Sequence, residues 1–73
     1  MLLYTNHTRF GAIVTIQIST TDVPEAALEI GQGSYYEQAS GSKGVHDYFV
    51  DAGKELRTVG NTTASFLGAR NVG

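Results

Sequence analysis

The run Ala12-Ile13-Val14-Thr15-Ile16-Gln17-Ile18-Ser19 constrains this chain more than any other segment. Val14, Ile16 and Ile18 alternate with Thr15, Gln17 and Ser19. An extended backbone therefore puts aliphatic side chains on one face and hydroxyl and amide groups on the other. The run is rich in β-branched residues, which suits a half-buried strand. The remaining segments have to supply its neighbours and the cover for its apolar face.

Leu2–Thr5 reads as a short strand that ends in a turn at Asn6-His7-Thr8-Arg9. A helix is expected after the central strand. Asp22 is a suitable N-cap, Glu25 completes a capping box and Pro24 sits in the first turn, where its missing N–H is harmless. Val23, Ala26, Ala27 and Ile30 would share its buried face, with Gly31 as its stop. Ser34–Ala39 reads as a strand with Tyr35 and Tyr36 on opposite faces, followed by a loop at Ser40–Gly44. On a helical wheel Val45, Tyr48, Phe49, Ala52, Leu56 and Val59 fall in one stripe roughly 100° wide, which predicts a second helix stopped by Gly60. Gly53 opposes that helix by about 1 kcal/mol. Ala64–Leu67 is the expected last strand. The fold class that results is α+β, a small sheet of three to four strands with two helices packed on one face. A β-meander from Tyr35 to Leu67, with turns at Gly53 and Gly60-Asn61, is the alternative.

With 73 residues the chain has room for one domain, placed at residues 1–67, and a frayed tail at 68–73. The absence of cysteine excludes disulfides, thiolate metal sites and a cysteine nucleophile, and favours a reducing setting. Met1-Leu2-Leu3-Tyr4 is too short for a signal peptide and no apolar run approaches membrane-spanning length, so a cytoplasmic protein is expected. Five basic residues against seven acidic ones give a net charge of −2. A nucleic-acid module built on Arg9, Lys43, Lys54, Arg57 and Arg70 is an alternative function, but such scattered charges do not predict strong binding to phosphates.

No motif announces chemistry. Asp47, Asp51 and Glu55 would line one side of the second helix, and His46, Asp47 and Asp51 on that helix are the only basis for a small metal-binding or catalytic domain. Carboxylates in a row on a solvated helix keep ordinary acidity, so they read as a solvated face. The histidines, His7 and His46, have no metal-binding spacing, and neither Gly31-Gln32-Gly33 nor Gly41-Ser42-Lys43-Gly44 matches a phosphate loop. Asn6-His7-Thr8 and Asn61-Thr62-Thr63 match the glycosylation pattern, which means little without export. No catalytic residue, cofactor or metal is expected.

Apolar and amphipathic residues on expected outer surfaces are more informative. Val50 falls outside the second helix's stripe, near His46 and Arg57, and Leu28 points away from the first helix's buried face. One of Tyr35 and Tyr36 has to face outward. Together Leu28, Tyr35, Tyr36, His46, Val50 and Arg57 form the candidate protein-binding set. Over its full length, from Met1-Leu2-Leu3-Tyr4-Thr5-Asn6-His7-Thr8-Arg9-Phe10 to the glycine-ended tail, the chain resembles the small phage-encoded regulators of host RNA polymerase in size and cysteine-free composition. That resemblance implies a non-enzymatic transcription regulator that binds bacterial RNA polymerase, inhibits initiation and allows read-through of terminators.

Overall fold

Gly11–Thr20 forms the strand that its alternation requires, and Ala12, Val14, Ile16 and Ile18 are all essentially inaccessible to solvent. The structure, a computed structural model, describes residues 1–72. Its strands are β1 (Leu2–Thr5), β2 (Gly11–Thr20), β3 (Leu28–Gln32), β4 (Tyr35–Ala39), β5 (Gly44–Val50), β6 (Glu55–Thr58) and β7 (Thr63–Val72). They make two antiparallel sheets, one ordered β1-β6-β3-β4 and the other β5-β2-β7. Leu28 and Leu56 from the first sheet meet Val14, Ile16, Ile18 and Val50 from the second in a single buried cluster. The chain is a two-layer β-sandwich.

Every connection except β3–β4 carries the chain from one sheet to the other. The core is therefore stitched by crossings rather than by hairpins. The one hairpin turns at Gly33-Ser34. Gly33 has φ 62°, and positive φ at the first central position of a two-residue loop is the type II′ arrangement that matches strand twist. At the crossing from β5 to β6, Gly53 takes φ 78° and Lys54 N–H closes the turn onto Asp51 O at 3.1 Å.

The crossing from β1 to β2 is pinned by a buried side chain. Asn6 is fully inaccessible. Its Nδ2 donates to Phe10 O (2.7 Å) and Val50 O (3.0 Å), and its Oδ1 accepts from Thr8 N–H (3.0 Å) and Thr8 Oγ1 (2.7 Å). Its backbone N–H and C=O are bonded to Lys54 O and Gly53 N, each at 2.8 Å. Three segments are tied together by one residue, with no polar atom left over. The same bonds leave the Asn6-His7-Thr8 pattern with no accessible amide.

The expected α+β class is wrong, and both expected helices are absent. The signals at Asp22–Glu25 produce only a single 3₁₀ turn at Pro24–Ala26, entered from Val23 with no side-chain cap. Thr21 Oγ1 accepts the Val23 N–H at 3.1 Å, so Asp22 is not the cap. Leu28 to Gln32 then runs extended between β4 and β6. The second expected helix is instead β5, a turn and β6. The alternative meander has its turns in the right places, yet none of β4 to β7 is hydrogen-bonded to the next, because successive strands join opposite sheets. Gly68–Val72, expected as frayed tail, pair with Thr15–Gly11 of β2, while Gly73 lies outside the described residues.

Candidate functional site

On the outer face of the four-stranded sheet, register brings four functional side chains together. Cross-strand partners share a face. Arg57, Glu29 and Gln38 form one row across β6, β3 and β4, and Glu55, Gly31 and Tyr36 form the next. The Tyr36 phenol crosses over Gly31, which has no side chain to obstruct it, and its hydroxyl donates to Glu55. The Arg57 guanidinium lies 3.6 Å from the centre of the Tyr36 ring, a cation–π contact. Arg57 Nε and Nη2 both reach Glu29 Oε1 at 2.9 Å.

This cluster is ordered rather than reactive. Donation to Glu55 raises the Tyr36 phenol above the ordinary tyrosine range, because ionisation would set two anions against each other. The Arg57–Glu29 pair is partly exposed, so it contributes no more than about 1 kcal/mol. Its effect is to hold a flat cation and an aromatic ring in fixed positions on a solvent-facing sheet.

Of the six residues singled out from sequence, the structure brings Tyr36 and Arg57 together. Tyr35 stands on the same strand, 85% exposed and facing the opposite way from Tyr36. The other three are elsewhere. Leu28 and Val50 have no exposed surface and belong to the core, since each lies on the inward side of a strand rather than the outside of a helix. His46 also points inward from β5, and its Nε2 is 2.8 Å from Ser42 O. Glu29 was missed, and Glu55 was read only as part of an acidic row on a helix. Their signal was alternation with Leu28, Ile30 and Leu56, which becomes visible only when both segments are read as strands.

The expected acidic row does not exist. Asp47 lies on the outer face of the three-stranded sheet, where it accepts from Thr15 Oγ1 at 2.6 Å, while Glu55 lies on the outer face of the other sheet. Among the described residues no group of three or more His, Asp or Glu side chains is placed to hold a metal ion. The basic residues are similarly dispersed: Arg57 and Arg70 occupy opposite outer faces, and Lys43 lies in the loop between β4 and β5. No helix among the described residues is long and apolar enough to cross a membrane.

Two further surfaces flank the cluster. A cleft beside β4 is lined by Ile30, Glu37, Gln38, Ala39, Phe49, Asp51 and Lys54. Behind it, the outer face of the three-stranded sheet exposes Val45 and Phe49, with the Phe49 ring over Gly11. Comparison with protein-family models, with curated proteins and with solved structures finds no match to this chain.

Proposed function

We propose that this chain is a non-enzymatic protein-binding regulator that meets its partner on the β4 side of the four-stranded sheet. The observation that carries the reading is the stacking of Arg57 on Tyr36 of the edge strand β4, with Tyr35 85% exposed on the opposite face of the same strand. Tyr and Arg dominate the energetics of protein interfaces because each combines a large flat contact area with a polar group. Holding Arg57 between Glu29 and Tyr36 before binding reduces the ordering cost that a free side chain would meet.

The partner we propose is bacterial RNA polymerase, in the cytoplasm of the host, with inhibition of initiation and terminator read-through as the consequence. The support is the whole-chain resemblance to small phage regulators together with an interface suited to protein. Co-elution of the purified chain with core or holo polymerase from a sizing column tests it. Stoichiometric co-elution that is lost on Tyr35→Ala or Arg57→Ala is the expected result. Clean separation of the two proteins removes polymerase as the partner.

A further inference from the structure

We propose that the open edge of β4 takes an extended, cationic segment of a protein partner as a fifth strand of the four-stranded sheet. This rests on the protein-binding reading above and specifies how the binding is achieved.

The edge is regular and unoccupied. β4 pairs with β3 on one side only. The two-residue loop makes Gln32–Tyr35 a hydrogen-bonded pair, and alternation then makes Ile30–Glu37 and Leu28–Ala39 the next ones. Tyr36 and Gln38 therefore aim their N–H and C=O groups away from β3. Among the described residues, no backbone hydrogen bond outside the sheets uses them.

The other edges are protected in ways that β4 is not. β1 is short and its pairing has a register shift, and β7 has register shifts against β2 with Phe66 stacked on Tyr4. On β5 the inward side chains Tyr48 and His46 are bonded to Ser40 O and Ser42 O of the neighbouring loop. β4 reads Tyr-Tyr-Glu-Gln-Ala, with no lysine, proline or bulge to discourage a further strand.

Charge selects the occupant. Glu37 and Asp51 line the cleft beside this edge against Lys54, and Glu29 and Glu55 lie on the outer face of the sheet against Arg57, so each side carries a net charge of −1. The other acidic residues, Asp22, Glu25 and Asp47, are balanced by Arg9, Lys43 and Arg70. Arg57 is already engaged by Glu29, and Glu37 is exposed with no ion-pair partner among the described residues. A strand laid along β4 would put alternate side chains over the cleft, where Glu37 and Asp51 favour Lys or Arg and Ile30 and Ala39 favour their aliphatic stems. A second copy of the chain is disfavoured, because antiparallel β4–β4 pairing sets the two Glu37 carboxylates close together on one side.

The test is an amide NMR titration of the whole chain with a synthetic peptide of alternating Lys and Val. A fully N-methylated version and a Glu-Val version of the peptide are the controls. Binding of the Lys-Val peptide should shift the Tyr35–Ala39 amides and slow hydrogen exchange most at Tyr36 and Gln38. Both control peptides, and the chain variants Glu37→Lys and Gln38→Pro, should bind at least about tenfold more weakly. The Gln38→Pro change removes an outward N–H that no strand of the chain uses, so unchanged amide dispersion elsewhere will show that the fold is retained. Absence of binding by the Lys-Val peptide, equal binding by the N-methylated one, or shifts centred on Val45 and Arg70, on the outer face of the three-stranded sheet, would each overturn the proposal. Polymerase co-elution that survives such a result would leave the protein-binding reading standing and remove only the strand-addition mode.

Discussion

The Asn6 crossing and the β4 edge treat backbone polarity in opposite ways. At Asn6 every donor and acceptor is used, and the side chain is sealed from water between Phe10, Val50 and Thr8. At β4 the Tyr36 and Gln38 backbone groups face outward and the side chains around them are exposed or half-exposed. The first arrangement closes a sandwich whose strands nearly always change sheet between neighbours in sequence. The second leaves one side of the molecule able to form hydrogen bonds without losing any. Stability and binding are thus assigned to different places, so substitutions should separate them.

The largest effect is expected at the closed region. Asn6→Ala strands Val50 O and the Thr8 N–H without the amide and leaves Phe10 O only the Thr8 hydroxyl, and should lower stability by about 2–4 kcal/mol. Urea denaturation would show it, and a loss well under 1 kcal/mol would mean that water replaces the amide and the crossing is not sealed.

Gly31→Ala bridges the two regions. An added Cβ would clash with the Tyr35 carbonyl oxygen, so β4 has to move away from β3. Overpacking of this kind costs about 1–3 kcal/mol, and it should disturb the Tyr36–Arg57 contact as well. Thermal unfolding together with the Tyr36 ring shifts would report both effects.

Tyr48 lies between the two extremes. Burial raises its phenol above the ordinary range, and its hydroxyl donates to Ser40 O. A raised folded-state pKa means that the protonated phenol's contribution is complete below about pH 10, the unfolded value. It is then lost as pH climbs through the higher folded value. Stability should fall more steeply above that pH than in Tyr48→Phe, and parallel profiles would show that the ring is not desolvated.

Smallest of all should be the stability change in Glu37→Lys, within about 0.5 kcal/mol, since the side chain is exposed and unpaired. Measured by the same urea titration, a large change would show that the β4 edge supports the fold and would dissolve the contrast with Asn6.

Local chemistry was legible in the sequence wherever one face of a strand is buried and the other is not. β2 could be read from its alternation, β1 and β4 from their flanking turns, and Gly60 as a stop, whereas Gly53 was a turn only in the alternative meander; both glycines take positive φ. β5 could not be read this way. Its outward residues include Val45 and Phe49 and its inward ones Tyr48 and Val50, so apolar side chains occupy both faces and the period of two vanishes. What remains is a spacing that fits a helical stripe equally well. The Asp22–Glu25 signals were real but local, sufficient for one 3₁₀ turn. Pairing of Leu28–Gln32 with strands on both sides then prevailed over helix propagation.

The candidate site divides along the same line. Sequence alone marked Tyr35, Tyr36 and Arg57 as contact residues by their chemistry. It also determined a small, cysteine-free chain with one unmistakable central strand. Only the tertiary structure decided that Leu28 and Val50 are core, that Glu29 and Glu55 complete the Arg57 cluster, and that Asn6 is a buried pin rather than a surface amide. The physical reason is that strand pairing is non-local. A one-residue change of register reverses every side chain of a strand, so the face each residue occupies is fixed by partners far away in the chain.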